Sequence, residues 1–276
     1  MNAQASAFTG IFTEEATALT FHFFGTCAGT EPMPGSRHVS FAVETGGGLY
    51  WFDAGEGCSY TAHLMGLDLL RVRKIFISHT HMDHVGGLGN LLWNIRKLTG
   101  VRKAQPEGDI DLYIPNLSTY DGILQVLRNT EGGFATAFQI RPHPVRDGLL
   151  DDDGRLRVCA HHNRHLPHRD GEPWRSYSYL VEAEGKRVVY SGDVRSIEEL
   201  APLIGRGCDA LLMETGHHTV LDVCGYLTER SAPVKNLWFI HNGRDILTDF
   251  GAAQGRAAAA FAGGVHICRD GESIFL

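Results

Sequence analysis

Ser78-His79-Thr80-His81-Met82-Asp83-His84 sets three imidazoles and a carboxylate within six residues. Imidazole is the commonest metal ligand in proteins and the usual acid–base group near neutral pH. Burying three imidazoles side by side is costly unless a cation pairs them. The run follows an apolar segment ending at Ile77 and precedes a helical pattern that opens after Val85. A strand-to-helix turn of this kind aims alternate side chains into one cavity. His79 and His81 can reach one cation there, and Asp83 and His84, at the helix start, a second.

Three more candidate ligands follow the ends of other expected strands. His165 lies beyond residues 156–160, Asp193 follows residues 187–190 in Ser191-Gly192-Asp193, and His241 follows residues 236–240 in His241-Asn242-Gly243-Arg244. His161, His162 and His168 compete with His165, whose spacing from the strand is better. Five His and two Asp make a mixed N/O set that suits Zn²⁺ and tolerates Mn²⁺ or Fe, and a carboxylate such as Asp193 can bridge two ions. His22, His38, His63, His143 and His266 read as core, surface or supporting residues. His38, beside Arg37 in a Gly/Pro-rich loop, is the one of these placed to line a pocket.

The elements that must carry these residues are legible from hydropathy periodicity and turn residues. Strands are expected over residues 19–25, 40–44, 49–52, 73–77, 112–114, 135–140, 156–160, 177–182, 187–190, 210–213 and 236–240. Helices are expected over 58–65, from 88 to about 98 with Gly100 closing it, and over 118–129, 196–204, 220–228 and 246–261. Residues 101–109 read as a surface loop, and 177–190 as a hairpin about Glu184-Gly185. The C-terminus reads as a second hairpin, 265–268 with 273–275, turning at Asp270-Gly271. The rhythm of strands followed by helix and strand occurs twice, which suggests two similar halves packed together. Residues 1–17 read as a loosely packed tail and 18–276 as a single domain.

Composition sets the remaining bounds. With 276 residues and 43% hydrophobic content, a large core forms without covalent staples. No stretch approaches the roughly 18–20 apolar residues of a membrane span. The first 17 residues lack the basic start and unbroken apolar run of a secretory signal. The six cysteines are scattered singly with no C-x-x-C pair, which reads as reduced thiols in a cytoplasmic protein. A net charge of −7 argues against a dedicated nucleic-acid binder, although a metal site adds positive charge that the formal count omits. Fifteen histidines are the surplus that the metal reading must explain.

Taken together, the motifs resemble the metallo-β-lactamase-fold hydrolases, and within them the ribonuclease Z-like branch. Gly25-Thr26 with residues 32–37 is similar to that branch's N-terminal loop, and Phe52-Asp53-Ala54-Gly55-Glu56-Gly57 to its Asp-x-Gly-Glu-Gly turn. Ile75-Phe76-Ile77-Ser78 leads into His-x-His-x-Asp-His and then Gly87-Leu88. Ser176-Tyr177-Ser178-Tyr179, Ser191-Gly192-Asp193 and His241-x-x-Arg244 follow in the family's order. The resemblance implies an α/β fold, a four-layer αβ/βα sandwich with its site at one edge. It implies two divalent metal ions, with His79, His81 and His165 on one, Asp83, His84 and His241 on the other, and Asp193 between them. Asp53 would hold the ligand loop rather than bind metal. A homodimer is also implied.

This chain departs from ribonuclease Z in several places. Met82 replaces a glycine, residues 166–175 form a short insertion, and no long Lys-rich arm for gripping tRNA is evident. The His-Glu-Ala-Thr motif becomes Met213-Glu214-Thr215-Gly216, followed by His217-His218. Glu214 with His217 or His218 could form a proton-shuttling pair, or these residues could simply cap the helix near Val220. The chemistry expected is a hydrolase whose metal-bridging hydroxide attacks a phosphodiester of a small or nucleotide-like substrate. Asp83 would orient or deprotonate the water as well as bind metal. A tRNA 3′-processing endonuclease is the alternative, with Arg96, Lys97, Arg102 and Lys103 as a modest basic patch. A lactonase, thioesterase or arylsulfatase-like esterase comes next, and a non-enzymatic metal-binding protein last. No membrane partner is expected.

Overall fold

The computed structural model describes residues 19–276; the tail expected over residues 1–17 lies outside them. Strands β1 (Thr20–Gly25), β2 (Ser40–Thr45) and β3 (Gly48–Phe52) pair antiparallel in succession. Helix α1 (Cys58–Leu64) then leads to β4 (Val72–Phe76), which runs parallel to β3. The short helix α2 (Met82–Val85) and the longer α3 (Leu88–Arg102) precede β5 (Ile110–Ile114), and α4 (Leu117–Arg128) precedes β6 (Ile140–Pro144). Strands β7 (Gly148–Asp152), β8 (Arg157–His162), β9 (Tyr177–Ala183) and β10 (Lys186–Tyr190) form an antiparallel run. After α5 (Ala201–Ile204), strands β11 (Cys208–Glu214), β12 (Val234–Ile240) and β13 (Gly264–Ile267) are parallel, joined through α6 (Val220–Glu229), α7 (Arg244–Leu247) and α8 (Phe250–Ala260). Strand β14 (Ser273–Phe275) closes the chain.

Two seven-stranded sheets result, ordered β14-β1-β2-β3-β4-β5-β6 and β13-β12-β11-β10-β9-β8-β7. Alternation along a strand sends successive side chains to opposite faces. In β3, Tyr50 and Phe52 enter the layer between the sheets, where Phe41, Phe76, Tyr179 and Tyr190 meet them, while Leu49 and Trp51 pack outward with α1 and α3 residues. In β11, Ala210 and Leu212 face the middle layer, and Leu211 and Met213 face α6 and α8. Three cores separate four layers, αβ/βα, in keeping with the fold expected. The break between sheets falls between β6 and β7, so the twofold rhythm of the sequence corresponds to one sheet per half, with β14 returning to the first.

Several boundaries differ from expectation, each for a physical reason. Residues 135–139 are not a strand; the sixth strand is the half-exposed Ile140–Pro144, whose two prolines mask it in a hydropathy scan. Strand β7 lies between the strands expected over 135–140 and 156–160, where the sequence shows no strand pattern. Helix α3 passes through Gly100 and stops at Lys103, which takes the left-handed conformation at φ 51°. The expected helix over 246–261 is broken, because Asp249 caps Ala252 N and starts α8 afresh. The expected helix over 196–204 begins as a 3₁₀ turn at Ile197–Leu200. The C-terminal segments are not a hairpin: β13 pairs with β12 and β14 with β1, so the Asp270-Gly271 turn carries the chain from one sheet to the other. Among the described residues no helix is long and apolar enough to cross a membrane.

Two tyrosines of the second sheet hold the segment that carries the histidine run. Tyr179 donates its hydroxyl to the Ile77 carbonyl at 2.6 Å, and Tyr190 donates to Asp53 Oδ2 at 2.6 Å, both fully buried. A buried hydrogen bond contributes about 0.5–1.5 kcal/mol net, and more to a charged acceptor. Tyr179→Phe is therefore expected to destabilise the fold by about 1–2 kcal/mol in urea unfolding, through the carbonyl left without its donor. Unchanged stability would contradict the anchoring role.

Candidate metal centre

The loops at one edge of the two sheets deliver the histidines to a single cleft. After β4 the chain turns at Ser78, and His81 lies at the N-terminus of α2. This turn is pinned by Asp53, fully buried at the end of β3. Asp53 accepts from Ser78 N at 2.6 Å and Ser78 Oγ at 2.8 Å, faces His84 Nδ1 at 2.8 Å, and takes the Tyr190 hydroxyl. Its backbone is in the left-handed region at φ 50°, as is that of His241 at φ 53°. Such conformations are costly for non-glycine residues and persist where the surroundings enforce them. The two turns also approach closely: a Cβ on Gly87 would sit 2.2 Å from the Gly55 carbonyl oxygen, so only glycine fits.

Two ligand groups share one carboxylate. His79, His81, His165 and Asp193 form the first, and Asp83, His84, Asp193 and His241 the second. In the first, His81 Nδ1 lies 3.0 Å from His79 Nε2 and 3.2 Å from His165 Nε2, with Asp193 Oδ2 3.6–3.8 Å from the latter two. Ligand atoms about 2.0–2.1 Å from a tetrahedral zinc are about 3.3 Å apart, so the spacing fits such an ion. In the second, Asp83 Oδ2 lies 3.1 Å from His241 Nε2 and 3.4 Å from His84 Nε2, while Asp193 Oδ1 lies 3.3 Å from His84 Nε2. His84 Nε2, Asp193 Oδ1 and His241 Nδ1 are buried without a hydrogen-bond partner. Native interiors rarely leave such atoms unsatisfied, and a divalent cation satisfies them. The residues present therefore fit a metal pair.

The electrostatics of the first group agree with that fit; in the second, against burial, neighbouring carboxylates raise His84 and push His241 up to about 9, and a bound cation would take the place of those protons. Burial, together with neighbouring imidazoles, holds His79 well below the ordinary histidine pKa, and burial pushes His165 down to about 4. Both are neutral at pH 7, the state in which a ring nitrogen can ligate. Burial opposes charge on His84 too, but Asp193 and Asp53 outweigh it and raise its pKa. Asp193, although buried, is drawn well below the carboxylate range by His241, His84 and His79. With Asp53 accepting at Nδ1, His84 turns Nε2 toward the cleft, the usual way an outer carboxylate fixes a ligand tautomer.

The cleft opens as a cavity of about 500 Å³ lined by His81, Asp83, His165, Asp193, His217, His218, His241 and Arg244, among others. Glu214, fully buried, receives His217 N at 2.9 Å and stands 3.1 Å from His217 Nδ1, and it is lowered to about 2 against its burial by His217 and His241. The Glu214 hydrogen bond in turn raises the His217 pKa. His218 instead turns Nε2 to the Val194 carbonyl at 3.2 Å. Neither histidine caps α6; Thr219 does so, in a capping box with Asp222.

The other histidines lie elsewhere. His162 and His168 both stack on Trp174, with ring centroids 4.0 and 3.8 Å away, and His161 lies beside His162 and Asp147. His38 lines a separate, smaller pocket with Arg37 and Glu56. His22 lies between Ser273 and Glu44, His143 on Tyr113 and His266 against Glu272. Ser78 joins Asp53 to His79 and His84, a role for which its place between a strand end and the first histidine is the only local signal in the sequence.

The sequence model of the family described as anti-Pycsar protein Apyc1 matches residues 19–241. The chain belongs to that family. It is also similar to ribonuclease BN of Cronobacter sakazakii, 31% identical over 170 residues, covering 59% of this chain and 49% of that protein. The chain spans about half the length, or less, of the first curated relatives it matches. Among solved structures, the metallo-β-lactamase fold protein YhfI from Bacillus subtilis aligns with TM-score 0.70 at 17% identity, covering 93% of this chain and 99% of that one. The short form of human tRNase Z aligns with TM-score 0.69 at 20% identity, covering 92% and 98%. This family member thus has the metallo-β-lactamase fold, as the motifs imply, and its ribonuclease-named relatives match the branch they resemble.

Asp53→Asn is expected to weaken divalent-metal binding about 10–100-fold, the usual effect of removing an outer partner of a ligand. Competition against a chromophoric chelator measures it, and unchanged affinity would contradict the positioning role.

Proposed function

We propose that the chain is a dinuclear metal-dependent hydrolase, a phosphodiesterase acting on a small or nucleotide-like substrate. The observation that carries the reading is the convergence of buried, unpartnered ligand atoms of His84, Asp193 and His241 at the base of an open cavity. His79, His81 and His165 would hold one cation, Asp83, His84 and His241 the other, and Asp193 would bridge them. Zn²⁺ is the leading candidate, with Mn²⁺ or Fe as alternatives. When bound, such a pair supplies Lewis acidity to a phosphoryl group and lowers the pKa of an attacking water.

The chain's own residues supply the rest. Asp83 lines the cavity and would orient the attacking water. Glu214 fixes Nδ1 of His217, which leaves Nε2 to give a proton to the departing oxygen. His218, tied to Val194, is the weaker candidate for that role. Because both sheets contribute ligands, residues 18–276 would act as one functional domain in the cytoplasm, and the family resemblance supports a homodimer.

The ribonuclease-named relatives favour a second reading, cleavage of precursor tRNA at its 3′ end. Weighing against it, three of the four residues of the expected basic patch are engaged within the chain. Arg102 pairs with Asp68 at 2.6 Å, Arg96 donates to the Ala135 carbonyl and Lys97 lies over Trp93. Lactones, thioesters and aryl sulfates remain substrates to compare on the same panel.

Purified protein is expected to carry about two equivalents of divalent metal by elemental analysis. His81→Ala and Asp193→Ala should each lose metal and hydrolysis of a bis-aryl phosphodiester. Full activity in both variants would refute the ligand assignment, and turnover of precursor tRNA alone would favour the second reading. A proton donor matters most when the leaving group is poor. His217→Ala should therefore lower kcat about 10²–10⁴-fold on an alkyl phosphodiester and far less on an aryl one. Equal losses on both would exclude the donor role.

A further inference from the structure

Arg244, on the wall of the metal cavity, is held by a partner that the reaction does not explain: Glu31, which lines the smaller pocket alongside. Arg244 donates Nη2 to both carboxylate oxygens of Glu31, at 2.8 and 2.6 Å. Arg244 is the only Lys or Arg among the described residues that line the metal cavity. It opens α7, three residues beyond the ligand His241. Glu31 follows Gly29, where an added Cβ would meet Asp83 Oδ2 at 2.7 Å.

The two loops are fastened to each other by backbone bonds. Ala28 N donates to Asn242 O at 3.1 Å, and Asn242 N to Thr26 O at 2.6 Å. The loops thus form one wall of the cleft, with Arg244 on the metal cavity and Glu31 on the smaller pocket beside it. The wall is fixed and buried at its base: Asn242 is fully buried and His241 nearly so. By contrast, the paired side chains are exposed, 65% for Arg244 and 59% for Glu31. Exposed pairs contribute little to stability, so this one can open at little cost. A carboxylate bound through one guanidinium nitrogen offers the same acceptor chemistry as two phosphate oxygens, and Arg is well suited to either anion.

We infer that Arg244 is the anchor for an anionic phosphoryl group of the substrate, and that Glu31 occupies it as an internal competitor until substrate arrives. This deepens the phosphodiesterase reading and rests on it for the identity of the anion. Glu31 leaves Arg244 as the phosphoryl oxygens arrive, and swings out to solvent with no bond made or broken. The device selects for substrates with enough negative charge to displace a carboxylate, and it disfavours neutral esters.

The test uses the metal-loaded full chain, inorganic phosphate as the calorimetric probe and a bis-aryl phosphodiester for kinetics. Glu31→Gln removes the competitor and should tighten phosphate binding, and lower KM, about threefold or more. Arg244→Met removes the anchor and should weaken phosphate binding and raise KM about tenfold. The discriminating variant is the double substitution, which should match Arg244→Met alone, because without the anchor there is nothing for Glu31 to block. Metal content and circular dichroism of each variant identify any that misfold. The inference is overturned if Glu31→Gln leaves phosphate affinity unchanged. It is also overturned if that substitution tightens binding equally with and without Arg244, since Glu31 would then act only as a nearby negative charge. Failure of the phosphodiesterase reading looks different: the wild-type protein binds phosphate with these shifts but turns over no phosphodiester.

Discussion

A carboxylate buried among imidazoles is the constraint on which this molecule turns. Asp193 is 1% exposed, and its two oxygens face histidines delivered by three different loops. Removing that much charge and polarity from water is unfavourable unless each group finds a partner. Protein donors satisfy only part of the need, and the atoms left over all point into the same cleft. Two cations held by this set would convert its cost into binding energy and couple metal uptake to stability.

The fold answers that constraint with rigid strands at the base and strained turns at the rim. The strands place ligands from both sheets at one edge. Tyr179 and Tyr190 reach across the middle layer and tie the second sheet to the turn that carries the histidine run. Asp53 then holds His84 through Nδ1, so the ring's orientation is set before any metal arrives. The left-handed backbones of Asp53 and His241 mark where this positioning is enforced. Toward the opening, His217 rests on the buried Glu214, and the exposed Arg244 pairs with Glu31.

Much of this is legible in sequence, for local reasons. The histidine run sits at a period change from strand to helix, His241 directly follows an apolar strand and Asp193 lies three residues beyond another, so their convergence can be read from alternation and turn residues. The alternating Tyr50, Trp51 and Phe52 declare a strand buried on both faces. What sequence conceals is set by tertiary context. The proline-bearing β6 and acidic β7 are strands because neighbours pair with them, not because of their composition. Residues 265–275 look like a hairpin, but their partners lie in two different sheets. The choice between His217 and His218 depends on which ring meets Glu214, and the Glu31–Arg244 pair joins residues more than two hundred positions apart. Neither follows from spacing.

The most direct test of the central claim is anomalous diffraction from crystals of zinc-loaded protein, collected at the zinc edge. The account predicts two peaks about 3.5–4 Å apart, one on each side of Asp193, with His79, His81 and His165 around the first and Asp83, His84 and His241 around the second. Zinc-loaded crystals with no peak at Asp193, or with peaks only at Asp147, His161 and His162, would contradict it.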